Sequence, residues 1–285
     1  MGKSFMVSNI GALLAKKNFT IGFIDADLGG ANLHLCLGVK RPRHSLQDFL
    51  SGRQKDLMDI TEKTIIPHSW LLSGASDIIE LANPFFSHKQ KLIRHLKKMA
   101  ADFILVDLGA GTGNHITDFF TAFTNGVIIS DGLPTSIENA YGFLKNGIIR
   151  GLIRLFPGRK DLHTIIKNFS DPHRENNFVT MAEMISHLST RFPEESHRIK
   201  EWLAQRKTFL ILNMVQNQND ISTGKRFIAI IKKYLNIHIT YSGYIMYDPE
   251  IRRSIREMKP LMLNNPPQKS LECFTTVTEN LLALL

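Results

Sequence analysis

The residues with the clearest chemical potential are Gly2, Lys3 and Ser4 at the head of the chain, Asp25 and Asp27 in "FIDADLGG", and Asp107, Gly109 and Gly111 in "VDLGAGTG". A glycine, a lysine and a hydroxyl directly ahead of a helical pattern are the parts of a phosphate cradle: free backbone N–H groups, one mobile cation and one metal-binding oxygen. Taken singly, each segment has an ordinary reading. Gly-Lys-Ser arises by chance in many chains, and aspartates after a strand or glycines in a reversal also serve plain turns. Together they are more specific. A triphosphate requires N–H donors at a helix N-terminus, a lysine on its β and γ phosphates, and Mg²⁺ held by a serine hydroxyl and a strand-end aspartate. Lys3, Ser4 and Asp107 match those needs. A second carboxylate must orient the attacking water, because phosphoryl transfer is catalysed mainly by positioning and charge stabilisation, and Asp27 is the candidate.

These residues can act together only if the fold brings them to one place. After Ser4, "FMVSNIGALLAKK" has helical spacing and ends in two lysines suited to a helix C-terminus, and "TIGFIDAD" then reads as a buried strand ending in charge. The alternation continues with the helix "HKQKLIRHLKKMA", the strand "DFILVDLGAG", the helix "NHITDFFTAF", the strand "GVIIS" and the helix "SIENAYGFLKNGIIRGLI". Near the end, the strands "TFLILNMV" and "ITYSGYIM" flank the helix "GKRFIAIIKKYL". Strands alternating with helices predict an α/β fold with a doubly wound, mostly parallel sheet and helices on both faces. In such sheets ligands bind at the carboxyl ends of the strands, where the three segments would converge. The expected organisation is a single domain over 1–285, with a helical insertion at 151–207 that opens one helix on a capping box of Thr180 and Glu183 and another on Pro193. A docking role for a partner is the expectation for that insertion.

Composition narrows the setting. Two cysteines, Cys36 and Cys273, in no CxxC pair, do not make a disulfide framework or a thiolate metal site, and the eleven histidines show no HxxxH or HExxH spacing. With no apolar run of membrane-spanning length and no cleavable leader pattern, the expected location is the cytoplasm. A formal charge of +9 fits either nucleic-acid affinity or a solvated basic surface. The basic runs "GKRFIAIIKK" and "EIRRSIREMK" are read here as solvated helix faces.

In this order the segments resemble the MinD/ParA group of deviant P-loop ATPases, and within it the MinD and FlhG (FleN) branch. The resemblance is carried by "GKS" at 2–4, "DADLGGANLHLCLGV" at 25–39, "HSLQDFLSG" at 44–52, "LLSGAS" at 71–76, "FILVDLGAG" at 103–111, "PTSIENAYGFLK" at 134–145, "LILN" at 210–213 and "YDPEIRRSI" at 247–255. It implies that ATP and Mg²⁺ are the cofactors, with Gly2, Lys3, Ser4, Phe5, Asp25, Gly109, Gly111 and Asn213 binding the nucleotide, Asn213 at the strand end that recognises adenine. Ser4 and Asp107 then hold Mg²⁺, and Asp27, in switch I, works with Lys3 in hydrolysis. The resemblance also implies a homodimer formed on ATP binding, a protein partner that stimulates hydrolysis, and control of the number or placement of flagella or septum, with recruitment to the cell pole or inner membrane face through partners. A ParA-like partition ATPase that binds DNA nonspecifically, or a nucleotide-free interaction scaffold, are the alternatives.

The sequence also departs from that pattern. The family loop reads KGGxGK[ST]; here its first lysine, its two glycines and the strand before them have no counterpart, and Phe5 stands where a second hydroxyl is common. If Met1 fills the variable position of the loop, the chain is expected to lack its native beginning and first strand, to expose a sheet position, and to aggregate or melt early. The alternative is a degenerate member that binds ATP poorly. Iron-sulfur relatives are disfavoured because neither cysteine is placed to bridge a cluster. The C-terminal "SLECFTTVTENLLALL" has no lysine or arginine after Lys269 and reads as a last core helix, with membrane targeting disfavoured.

Overall fold

The computed structural model describes residues 2–27, 30–74, 86–169 and 178–284. In chain order the first elements are α1 (Lys3–Lys16), β1 (Ile21–Asp25), α2 (Leu33–Cys36), α3 (Leu46–Leu50), β2 (Glu62–Lys63), β3 (Ser69–Leu72), α4 (Phe86–Leu96) and β4 (Phe103–Asp107). There follow α5 (Asn114–Ala122), β5 (Asn125–Ser130), α6 (Pro134–Leu155), α7 (Lys160–Asn168), α8 (Met181–Arg191) and α9 (Pro193–Ala204). The chain closes with β6 (Lys207–Val215), α10 (Gln218–Leu235), β7 (Ile239–Met246), α11 (Glu250–Arg256) and α12 (Gln268–Leu282). The alternation expected from the sequence is present, and two compact units divide it: 1–110 with 245–284, and 111–244.

The first unit is built on a four-stranded sheet in the order β2-β3-β1-β4, in which β1 runs parallel to β3 and β4 and only the two-residue β2 is antiparallel. All five residues of β1 are buried, as its central position requires. Helix α1 lies close on that strand because residue 11 is glycine: a Cβ there would stand 2.3 Å from Cζ of the buried Phe23. In the first turn of α1 Phe5 meets Phe274 of α12 edge to face, with ring centroids 5.8 Å apart. Burying each ring contributes about 2 kcal/mol, and the edge-to-face geometry adds about 1 kcal/mol. Met262 clamps the same helix from the C-terminal segment. Its N–H donates to Asn9 Oδ1 at 2.9 Å, and its carbonyl accepts from Lys16 Nζ at 2.6 Å.

The second unit carries the sheet β5-β6-β7, with β5 parallel to β6. Its core gathers Leu144, Ile148 and Leu152 of α6, Leu162 and Ile166 of α7, Met184 and Leu188 of α8, Ile199 of α9, and Phe227 and Ile231 of α10. Thr180 and Glu183 form the capping box of α8, and Pro193 opens α9. Helix α10 begins six residues before the glycine at which its apolar pattern starts. Asn217 caps it by accepting from the amides of Asn219 and Asp220, and Asp220 reaches back to the amides of Gln216 and Asn217. Gly224 is therefore interior, and it is small because Leu212 of β6 lies beneath it, 2.7 Å from where a Cβ would sit. Asp118 of α5 is fully buried and held by Arg150 and Arg154 of α6, a partnership whose loss would leave a buried charge without compensation.

Among the described residues β4 pairs on one side only, with β1, and β5 on one side only, with β6. Their apolar residues are accordingly less covered than those of β1, and Val127 of β5 is 42% exposed.

Candidate phosphate and metal site

The site in the first unit is assembled by one helix and two neighbouring strands. Gly2 sits ahead of α1 at φ 71°, a left-handed conformation that glycine adopts without a Cβ penalty, and Met6 N–H donates to its carbonyl at 2.9 Å. Among the described residues no side chain caps α1, and its first turn holds no acidic residue. The positive end of the helix is thus left for an external anion, with the amides of the first turn as donors. Phe5 turns its ring into the core, which leaves its N–H as the part able to face a phosphate.

The register of the sheet sets the carboxylates. Asp25 and Asp107 are paired residues at the ends of β1 and β4, and the ladder runs one step further through Ala26 N–H to the Asp107 carbonyl at 2.9 Å. Asp107 is 3% exposed; one of its oxygens accepts from the Ser4 hydroxyl, and Oδ1 has no partner among the described residues. Burial pushes its pKa up to about 6, against the Ser4 hydrogen bond and the Lys3 charge, which hold it down. Asp25 is fully buried and pushed up to about 7, first by burial and then by the charge of Asp107. Its oxygens accept from Asp27 N–H at 3.2 Å and Leu33 N–H at 3.0 Å, so Asp25 organises the turn that follows β1. Cys36 stands near both aspartates, and burial and their charge push its thiol up to about 11, which makes it a poor nucleophile.

Asp27 is the first residue past the ladder, partly exposed, with its carboxylate over Gly109: a Cβ at residue 109 would lie 2.8 Å from Asp27 Oδ1. Gly109→Ala is therefore expected to displace Asp27 rather than to unfold the chain, lowering turnover about tenfold or more while the melting temperature changes little. Phosphate-release kinetics beside a thermal melt check this.

Gly111 and Asn213 belong to the second unit. Gly111 has φ 97°, a conformation that disfavours any side chain, and Asn213 is buried in β6. Met1, Leu28 and Gly29, which the sequence motifs include, lie outside the described residues, as does the end of "LLSGAS". Sequence reasoning missed Leu33, whose backbone amide holds Asp25, and the Asn9, Lys16 and Met262 clamp on α1. Contacts between residues more than 240 apart leave no local signal.

Serine and carboxylate oxygens at a helix head are hard ligands of the kind Mg²⁺ takes beside phosphate, and the unpartnered buried Oδ1 of Asp107 supplies the vacant acceptor. The residues present fit Mg²⁺ and a nucleotide phosphate. The family model of the CobQ/CobB/MinD/ParA nucleotide-binding domain matches residues 1–261. The chain belongs to this family.

Among curated relatives, the flagellum site-determining protein YlxH of Helicobacter pylori is 33% identical over 51% of this chain and 49% of its own length. The antiactivator FleN of Pseudomonas aeruginosa is 23% identical over 98% of this chain and 81% of its own. The chain thus spans about half the length of the first relative and most of the second. In fold, the cell division ATPase MinD of Pyrococcus furiosus covers the whole chain and 94% of its own at TM-score 0.64 and 18% identity. The Pyrococcus horikoshii MinD solved with Mg-ADP gives TM-score 0.63 over 99% of this chain and 91% of its own, at 18% identity. These family relatives agree with the α/β, P-loop architecture expected from the sequence. Among the described residues no helix is long and apolar enough to cross a membrane.

Proposed function

We propose that the chain is an ATP-dependent switch of the MinD and FlhG kind, which dimerises on Mg-ATP, hydrolyses it, and through a stimulating protein partner sets the number or placement of flagella or septum. The observation that carries this reading is the buried Asp107 carboxyl, one oxygen on Ser4 and the other without a partner among the described residues, beside a head of α1 that none of them caps. The amides of Lys3, Ser4 and Phe5 and the Lys3 ammonium hold phosphate oxygens, Ser4 and Asp107 hold Mg²⁺, and Gly109 and Gly111 allow close backbone approach. Bound Mg²⁺ supplies charge neutralisation on the phosphates. Asp27 orients the water, and Asn213 reads the base. Recruitment to the pole or inner membrane face runs through partners.

The test is sedimentation velocity with Mg-ATP, Mg-ADP and no nucleotide. A dimer that forms with Mg-ATP and dissociates on hydrolysis is expected; a monomer throughout, with no nucleotide bound, replaces the switch by a nucleotide-free scaffold. A ParA-like reading draws on Lys225, Arg226, Lys232 and Lys233, exposed on α10 with no ion pair among the described residues. DNA binding that needs ATP and falls steeply with salt would favour it.

A further inference from the structure

Helix α11 segregates its charges. Arg253 is paired twice, with Glu250 at 2.8 Å and Glu257 at 3.6 Å. Arg252 and Arg256 are exposed on the neighbouring face with no carboxylate partner among the described residues, and Ile255, 49% exposed, borders them, three residues after Arg252, at the spacing that puts two side chains on one helix face. The chain folds back at Met258, φ 55°, with Lys259 N–H donating to the Ser254 carbonyl at 3.1 Å, so an exposed third cation stands at the end of the same helix. Tyr247, in the segment leading into α11, is 51% exposed. This short helix thus pairs one arginine twice and presents two others beside a bare isoleucine to solvent.

We propose that this face of α11 docks an acidic segment of a partner protein that carries an apolar anchor, with carboxylates on Arg252, Arg256 and Lys259 and an aliphatic side chain on Ile255. Complementarity of charge chooses the occupant. Glu250 and Glu257 lie together on the far side of Arg253, so a continuous polyanion such as DNA laid across α11 would meet carboxylates there, and one isoleucine offers too little apolar surface to anchor a membrane. A peptide with discrete carboxylates around an aliphatic residue fits a bare isoleucine bordered by these cations. The surface is independent of the nucleotide reading, so its test needs no ATP.

The experiment is fluorescence anisotropy of a labelled (Glu-Glu-Leu)₄ peptide titrated with the full chain, beside the corresponding Lys-Lys-Leu peptide, a DNA duplex and phosphatidylglycerol vesicles. Binding of the acidic peptide is expected, weakening with salt, reduced about tenfold or more by Arg252→Glu with Arg256→Glu and severalfold by Ile255→Ser. Circular dichroism checks the fold, and Arg252→Ser with Arg256→Ser serves if the charge reversal unfolds the chain. Absence of binding, equal binding by the folded double variant, or tighter binding of DNA or vesicles through the same residues overturns the proposal.

Discussion

Asp27→Ala is expected to leave Mg-ATP bound and to stop it from being turned over. The carboxylate lies on the first residue beyond the β1–β4 ladder, over Gly109 and not within a helix or strand, so its removal disturbs no regular element. A positioned group that orients or deprotonates the attacking water contributes about a hundredfold or more to rate and little to ground-state binding. Phosphate release should therefore fall by about that factor, while the affinity for a fluorescent ATP analogue stays within about twofold of the parent. Lys3→Ala separates the roles from the other side. Its charge is close enough to Asp107 to lower that carboxyl's pKa, and it stands at the uncapped head of α1, so its loss should weaken nucleotide binding itself. Unchanged hydrolysis in Asp27→Ala would move the water-positioning role to another residue, and unchanged binding in Lys3→Ala would remove α1 as the phosphate site.

The readability of these parts from sequence varied with how local their causes are. β1 and β4 were legible because a run of aliphatic and aromatic residues ends abruptly in an aspartate, and both the burial of a central strand and the chemistry of its carboxyl end follow from that pattern. α8 and α9 were legible from a capping box and a leading proline. β2 and β3, of two and four residues, are too short to show a period, and their antiparallel pairing was not anticipated. The start of α10 is less legible, because its N-terminal signal uses Asn217 and Asp220, where Thr and Glu are the better-known pair. In the site, the aspartates could be named but not sorted. Asp25 spends its oxygens on amides two and eight residues along, but Asp107 meets Ser4 across 103 residues and is set beside Asp25 by a strand register between residues 82 apart, which no local window contains.

That register has a consequence for stability. Asp25 and Asp107, both buried, are paired at the ends of adjacent strands, and two carboxylates so placed cannot both ionise cheaply without a cation. The folded pKa of Asp25, about 7, lies above its ordinary value of 3.8, so between those values the unfolded chain has lost the proton that the folded chain keeps. The folded state then binds more protons, and stability falls as pH rises through this window. At about 1.4 kcal/mol per unit, the loss attributable to Asp25 is on the order of 4 kcal/mol by pH 8. Asp107, pushed to about 6, acts in the same direction. His34, whose pKa burial lowers, acts oppositely at the acid end, so the comparison is one of slopes between parent and Asp25→Asn. In metal-free buffer, urea unfolding should show the parent losing stability from pH 5 to pH 8 more steeply than Asp25→Asn. The amide cannot ionise, although it exchanges one backbone acceptor for a donor and is expected to start from a lower stability at pH 5. Added Mg²⁺ should flatten the parent's slope by favouring the ionised pair. Parallel slopes for the two proteins would mean that the Asp25 carboxyl is already ionised in the fold, and that the positive head of α1 with Lys3 compensates the pair without a metal ion.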